Sequence, residues 1–310
     1  MAAGPSALPM KAFAAFILRG PGQAASVACA TLLLASVMPL PPLAWLSAGV
    51  LALVMLQLGP VGYALATGVG VLALTAAGWL VLGHGLIVAG VALAAWLPAG
   101  LIALVLHRRA RLDDTLLAAC ALGWLLVIGF HVVLDAPTEW WRAALLEYMP
   151  PERIEAELGV SAARMREFIE RGAPLMTGML GASVVLGSIC SVLLARWLQA
   201  GLYHPGAFGA EFRGLRLGRV AATILAVLCG LALALPLPLL DGLTFVALAV
   251  YLFQGLAVAH GVVAGRQMGV AWLVGLYVLG LLALPQMVLA LALVGVADAW
   301  LDFRARTQAG

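Results

Sequence analysis

The sequence predicts an all-α protein, a polytopic bundle of transmembrane helices forming one integral membrane domain over residues 1–310. Three observations carry that reading. The chain is 64% apolar and only 10% charged, whereas a soluble domain is about 45–50% apolar and about 25% charged. Its apolar residues come in long unbroken runs, the mark of spans whose backbone amides must be satisfied within their own segment. The short alternating segments of a β-barrel do not occur. Finally, the basic residues outside the segment 135–171 cluster where a map with an even number of spans, about ten, puts them on one side.

Lys11 and Arg19 precede the first apolar run, with a short amphipathic stretch at Phe13, Phe16 and Ile17. A signal peptide would be followed by a polar mature domain, but here Pro41 and Pro42 open another hydrophobic segment. The run therefore reads as an uncleaved first span. Pro, Gly and charge then divide the chain into candidate spans at 22–39, 41–58, 61–82, 86–106, 114–134, 173–198, 219–239, 241–264, 267–284 and 286–302. The junctions at Pro39–Pro42 and Gly83–Gly85 are tight, and the short segments 22–39 and 267–284 are candidates for a re-entrant path. Three groups result: helices over 22–134, an extracytoplasmic segment over 135–172, and helices over 173–310 with a cytoplasmic loop at 199–218.

Basic residues resist translocation, so Lys and Arg in short loops mark the cytoplasmic side. With both termini in the cytoplasm, Lys11, Arg19, Arg108, Arg109, Arg111, Arg196, Arg213, Arg216, Arg219, Arg266, Arg304 and Arg306 all fall inside. The outer segment is acidic, with Asp135, Glu139, Glu147, Glu152, Glu155, Glu157, Glu167 and Glu170. Pro151 suits a first helical position, Ser161 an N-cap, and Gly159 and Gly172 helix stops. Arg153 with Glu157, Arg166 with Glu170, and Glu167 with Arg171 are spaced to pair along helices. Two or three short helices at about 138–171 are predicted, with Trp140, Trp141 and Tyr148 at interface level. They read either as a lid over an outward cavity or as a solvated connector.

Cys29, Cys120, Cys190 and Cys229 lie inside apolar runs without motif spacing, as small packing residues do. Ala24 with Ala28, and Gly261, Gly265 and Gly269, have the spacing that lets helix backbones approach in lipid. Lys11 is the only lysine and Asn is absent, a bias of GC-rich bacterial genomes. The small positive charge follows topology and is no signature of nucleic-acid binding.

Ionisable and polar residues within spans are costly and so are the first candidates for function. They are few: His131 near the outer end of its span, Gln254 and His260 beside Tyr251 in another, and Asp298 near the inner end of the last. A packed, satisfied side chain is the plain alternative for each histidine. For Asp298 it is an interfacial anchor, paired with Arg266 or an arginine of the 199–218 loop. No carboxylate is expected near the bilayer centre, where a proton-coupled pump would carry one. Walker-type phosphate loops, His-x-x-x-His, Cys-x-x-Cys and Gly-x-Ser-x-Gly patterns are all missing. The sequence thus nominates no catalytic residue, metal ligand or cofactor, and an enzyme is disfavoured.

The most informative stretches are cytoplasmic. Residues 196–219 combine Arg196, Trp197, Tyr203, a Pro205-Gly206 turn, Phe212, Arg213, Arg216 and Arg219. A short helix over Glu211 to Arg219 is predicted there, with Phe212 and Leu215 on one face. The carboxyl end repeats the mixture, with Asp298, Trp300, Asp302, Phe303, Arg304 and Arg306, in which Asp302 and Arg306 can pair. Tyr203, Pro205, Phe212, Arg213, Arg216, Trp300, Asp302 and Arg304 are the candidate partner-docking residues.

These stretches also carry a resemblance. Met176-Thr177-Gly178, the Arg196-Trp197-Leu198-Gln199 and His204-to-Leu217 segments and the closing Trp300-Leu301-Asp302-Phe303-Arg304 resemble the YybS-like family of bacterial membrane proteins. The similarity extends over nearly the whole chain, including the Lys11-Ala12-Phe13 start. The family has no assigned activity and is distantly similar to the substrate-binding S-components of energy-coupling-factor transporters. The resemblance implies a bundle with an outward pocket and small-residue faces for a membrane partner. The chain departs from those components in having about ten spans rather than six, and it shows none of their ligand residues. The expected function is a binding or transport subunit of the bacterial inner membrane that lacks its own energy source. It would contact membrane lipid, a membrane or cytoplasmic protein partner and a small-molecule ligand. The alternatives are an envelope scaffold or assembly factor holding a cytoplasmic partner and, less favoured, an intramembrane enzyme using His131 or His260.

Overall fold

The computed structural model describes residues 7–38 and 40–308, and among these residues there are helices and no strands. The first group of helices is α1 (Ala7–Ile17), α2 (Pro21–Val37), α3 (Pro41–Leu82), α4 (Gly85–Arg109) and α5 (Leu112–Val133). Three short helices follow, α6 (Pro137–Tyr148), α7 (Pro151–Leu158) and α8 (Ala162–Gly172). The second group is α9 (Met176–Tyr203), α10 (Ala207–Arg213), α11 (Gly218–Ala234), α12 (Pro238–Gly265), α13 (Ala271–Leu282), α14 (Leu284–Leu301) and α15 (Phe303–Gln308). Six helical stretches are long and apolar enough to cross a membrane. The number rises to eight if two bent pairs, α1 with α2 and α10 with α11, each count as one span. The chain is an all-helical, multi-pass membrane protein.

The 42-residue α3 is not one rod. Pro60 has no amide to donate, and Gly59 at φ 71°, ψ −170° leaves the helical region altogether. In a straight helix Ser47 and Gly70 would lie about 35 Å apart at about 1.5 Å per residue. Both instead meet the same tryptophan. Trp96 Nε1 donates to Ser47 Oγ at 2.9 Å, and a methyl on Gly70 would stand 3.0 Å from the Trp96 ring. Neighbouring residues of α2 bind both halves as well, Ser47 Oγ donating to Ala28 O at 2.7 Å and Cys29 Sγ to Gly70 O at 3.5 Å. Residues 41–58 and 60–82 therefore fold back on each other at Gly59, with the His107 ring beside the turn.

Parts of α3, α9 and α12 form the buried centre, where Val50–Val54, Val185, Ile189, Val192, Val246 and Val250 are almost wholly enclosed. Glycine sets how closely these helices approach. A Cβ on Gly255 would stand 1.9 Å from Leu291 O, and one on Gly295 2.5 Å from Tyr251 O, so α12 and α14 pack backbone to backbone. Gly178 and Gly242 do the same for α9 and α12. The small-residue spacing had pointed elsewhere. Ala24 and Ala28 are indeed buried, but a Cβ on Gly269 would meet nothing within 4 Å.

The acidic segment is helical, as its punctuation predicts. Pro151 opens α7, Gly159 stops it at φ 69°, and Ser161 Oγ accepts from Arg164 N at 3.4 Å to cap α8. Arg153 pairs with Glu157 at 2.7 Å and Arg171 with Glu167 at 2.5 Å. The expected Arg166–Glu170 pair is replaced: Arg166 reaches Glu152 of α7, and Glu170 pairs with Arg142 of α6 at 2.8 Å. Cross-helix partners win because the segment folds into a hairpin of helices. Phe130, Trp140 and Trp141 stack together, and Trp141 Nε1 donates to Thr177 Oγ1 at 2.9 Å, fastening α6 to the end of α9.

One expected element is displaced. The short helix expected at 211–219 occupies Ala207–Arg213 instead. Gly214 ends it, and Gly218 at φ 85° cannot continue it, so residues 214–217 form a non-helical link between α10 and α11.

Gly255→Ala drives a methyl into the α14 backbone, whereas Gly90→Ala meets nothing within 4 Å. The first should lower the unfolding temperature of detergent-solubilised protein, at a cost of roughly 2–3 kcal/mol. The second should leave it unchanged or slightly raised, and equal midpoints for the two would refute the packing account.

Candidate functional site

The two stretches singled out by composition, residues 196–219 and the carboxyl end, meet in space. Asp302 adopts the left-handed conformation at φ 43°, which ends α14 and turns the tail toward α12. That reversal sets Arg304 against Asp298, with Nη2 donating to Oδ2 at 2.6 Å. Both side chains are buried, 7% and 1% exposed. An ion pair out of water is costly unless its remaining donors and acceptors are also satisfied. Here Arg304 Nη1 donates to Arg213 O at 2.7 Å and to Leu215 O at 2.9 Å, while Asp298 Oδ1 accepts from Phe303 N at 3.1 Å. Gly261 of α12 leaves the room, since a Cβ there would lie 2.9 Å from Arg304 Cδ. The partners expected for Asp298 were Arg266 or a loop arginine. The pair forms within the tail instead, because the left-handed turn at Asp302 shortens the path.

A second fork lies beside the first. Arg216 donates from Nη1 and Nη2 to the two oxygens of Asp302, each at 2.9 Å. This pair is half exposed, and Arg216 holds the Asp302 carboxyl below its ordinary value of 3.8 chiefly through these hydrogen bonds. The side chain of Arg306, the partner expected for Asp302, lies outside the described residues. The loop backbone is tied down as well. Arg216 N donates to Asp113 Oδ1 at 2.8 Å, and Leu217 N to Gln254 Oε1 at 2.8 Å. Gln254 Nε2 then donates to Gly295 O at 2.7 Å, so one buried amide joins the loop, α12 and α14. Leu215 and Leu217 point inward between these polar anchors, 1% and 5% exposed. On the α9 side, Arg196 pairs with Glu211 at 2.8 Å and holds Gln199 Oε1 at 2.6 Å.

Arg216, Gly218, Arg219, Gln254, Asp298 and Asp302 surround a small polar cavity of about 150 Å³. Of the eight docking candidates, Arg216, Asp302 and Arg304 are spent on internal contacts. Phe212 is half-buried between Phe208 and His260. Tyr203, Pro205, Arg213 and Trp300 remain exposed. The intramembrane candidates separate in the same way. His131 Nδ1 donates to Val127 O of its own helix at 2.9 Å. His260 donates from Nδ1 to Leu256 O at 2.8 Å and meets the Tyr277 hydroxyl at 3.2 Å. Among the described residues neither histidine is joined to a carboxylate, whereas Gln254 and Asp298 belong to the cluster. Sequence reading overlooked Asp113 and left Arg196 and Glu211, though part of the 196–219 stretch, out of the candidate residues; the acidic Asp113 beside Arg111 at the start of α5 was the available signal.

Comparison of the chain with family models, with curated proteins and with solved structures finds no match.

Asp298→Asn leaves the buried Arg304 cation without its carboxylate and should cost about 3–5 kcal/mol. The Asp298→Asn, Arg304→Gln double variant should recover a large part of that loss in a double-mutant cycle. Additive effects of the two substitutions on unfolding in detergent would show that the pair is not coupled.

Proposed function

We propose that this chain is a scaffold of the bacterial inner membrane that docks a cytoplasmic protein partner on the 203–214 face. The supporting observation is the number of contacts spent on holding one loop still. A segment that only joined α9 to α11 would need neither Arg304 on its carbonyls, nor Gln254 and Asp113 on its amides, nor Glu211 on Arg196. A loop held in one shape in advance loses less conformational freedom on binding. What that loop presents outward is Tyr203, Pro205 and Arg213, an aromatic and cationic surface suited to an acidic protein face.

A transport subunit, the reading drawn from the S-component resemblance, calls for an outward pocket of roughly 300–1,000 Å³. The two most enclosed cavities described are about 120 and 150 Å³, and they lie toward the cytoplasmic halves of α5, α11, α12 and α14. The larger ones are open grooves on the flanks of the bundle. This balance favours the scaffold. Membership of the YybS-like family belongs to the same proposal and agrees with either role.

The proposed topology has about ten crossings, with both termini in the cytoplasm. The two halves of α3 count separately, and α2, α11 and α13 serve as short spans. The α13 helix, about 18 Å long at about 1.5 Å per residue, needs the flanking residues 266–270 to complete its crossing. An even count puts Lys11, Arg108, Arg213, Arg266 and Arg304 on one side and the acidic α6–α8 segment on the other.

A photo-cross-linking residue at Tyr203 or Arg213 in intact cells should trap a discrete protein, and one at the exposed Leu233 of α11 should not. With the protein folded and in the membrane, absence of any adduct from both loop positions would overturn the docking role. Topology is tested separately with an impermeant thiol reagent, in a background where the four native cysteines are alanine. Val160→Cys and His84→Cys should react from outside, and Pro205→Cys only after the membrane is opened. Labelling of Pro205→Cys from outside would contradict the proposed orientation.

A further inference from the structure

A groove of about 540 Å³ runs along the membrane-facing flank between α12, α13 and α14. Val258, Val262, Leu273, Leu276 and Val294 form its apolar wall, and Arg266, Met268, Trp272 and Phe303 stand at one end. Phe303 belongs to the tail that packs on the 213–217 loop, so this end lies at the level of the cytoplasmic polar cluster. Arg266 is exposed, and among the described residues it makes no ion pair. Beside it the chain turns into α13, and the amides of Gly269, Val270 and Ala271 find no backbone acceptor among the described residues. The groove thus joins a long apolar trough to a cation and a set of free amide donors, with a tryptophan at the boundary. The α13 helix has no buried residue, so a filled groove would also give it a surface to rest on.

We infer that this groove holds one anionic phospholipid of the cytoplasmic leaflet. An acyl chain lies along Val258, Val262, Leu276 and Val294, and the phosphate sits at Arg266 and the start of α13. Charge complementarity selects the occupant. A zwitterionic lipid brings its own cation to a site that already has an unpaired one. A soluble anion leaves the apolar trough empty. The inference rests on the topology proposed above, which puts Arg266 at the cytoplasmic membrane surface; the thiol-labelling pattern tests that placement independently of lipid.

Native mass spectrometry of the full chain, released from detergent after mixing with dioleoyl phosphatidylglycerol or dioleoyl phosphatidylcholine, tests it. Phosphatidylglycerol should be retained at least about five-fold better, and Arg266→Gln should abolish the preference. Arg266→Lys should keep most of it, which separates loss of charge from loss of fold. Arg108→Gln, in the groove between α4 and α5, should leave it unchanged. Equal retention of the two lipids, an unaltered preference in Arg266→Gln, or displacement of phosphatidylglycerol by millimolar inorganic phosphate would each overturn the assignment.

Discussion

The end of the bundle that carries the 213–217 loop depends on one buried ion pair, Arg304 with Asp298. Two charges removed from water are stable together only when every remaining hydrogen-bonding atom is also served. The chain supplies three of those partners from its own backbone. The carbonyls of Arg213 and Leu215 and the amide of Phe303 complete the pair. Those same bonds fasten the 213–217 strand of chain to the tail. Removing either charge would strand the other, so the tail, the loop and the carboxyl end of α14 are one unit.

Around that unit the bundle is held by a different kind of force. Lipid offers no hydrophobic drive for helices to associate, so contact depends on close packing. Gly255 against Leu291, Gly295 against Tyr251, and Gly178 against Gly242 let α9, α12 and α14 touch through their backbones. The buried amide of Gln254 lies between the two regimes, satisfied by a loop amide on one side and an α14 carbonyl on the other. Close packing fixes where α12 and α14 stand, and the polar cluster at their ends fixes the loop. The exposed Tyr203, Pro205 and Arg213 inherit that rigidity.

Much of the architecture was legible in the residues. Pro and Gly punctuation located the break at Gly59–Pro60, because no other residues end a helix so sharply. Pro151, Gly159 and Ser161 marked the short helices α7 and α8 for the same local reason. Composition singled out the 196–219 stretch and the tail, which turned out to adjoin. The pairings were not legible. Asp298 could have met any of several arginines, and the left-handed turn at Asp302 that selects Arg304 is set by tertiary fit. Nor could spacing show which glycines face one another, since Gly and Ala recur on every face of these helices. Arg166 chose Glu152 over Glu170 because α7 and α8 fold together, which a pattern confined to one helix does not contain.

The central claim is that the Asp298–Arg304 pair holds the loop in its one shape. Amide hydrogen exchange of the full chain in Arg304→Gln, read at Arg216 and Leu217, tests it most directly. Exchange at both amides should rise by a factor of about ten or more, with the amides of α6–α8 unchanged. Unaltered protection of Arg216 and Leu217 in a folded Arg304→Gln variant would contradict the account.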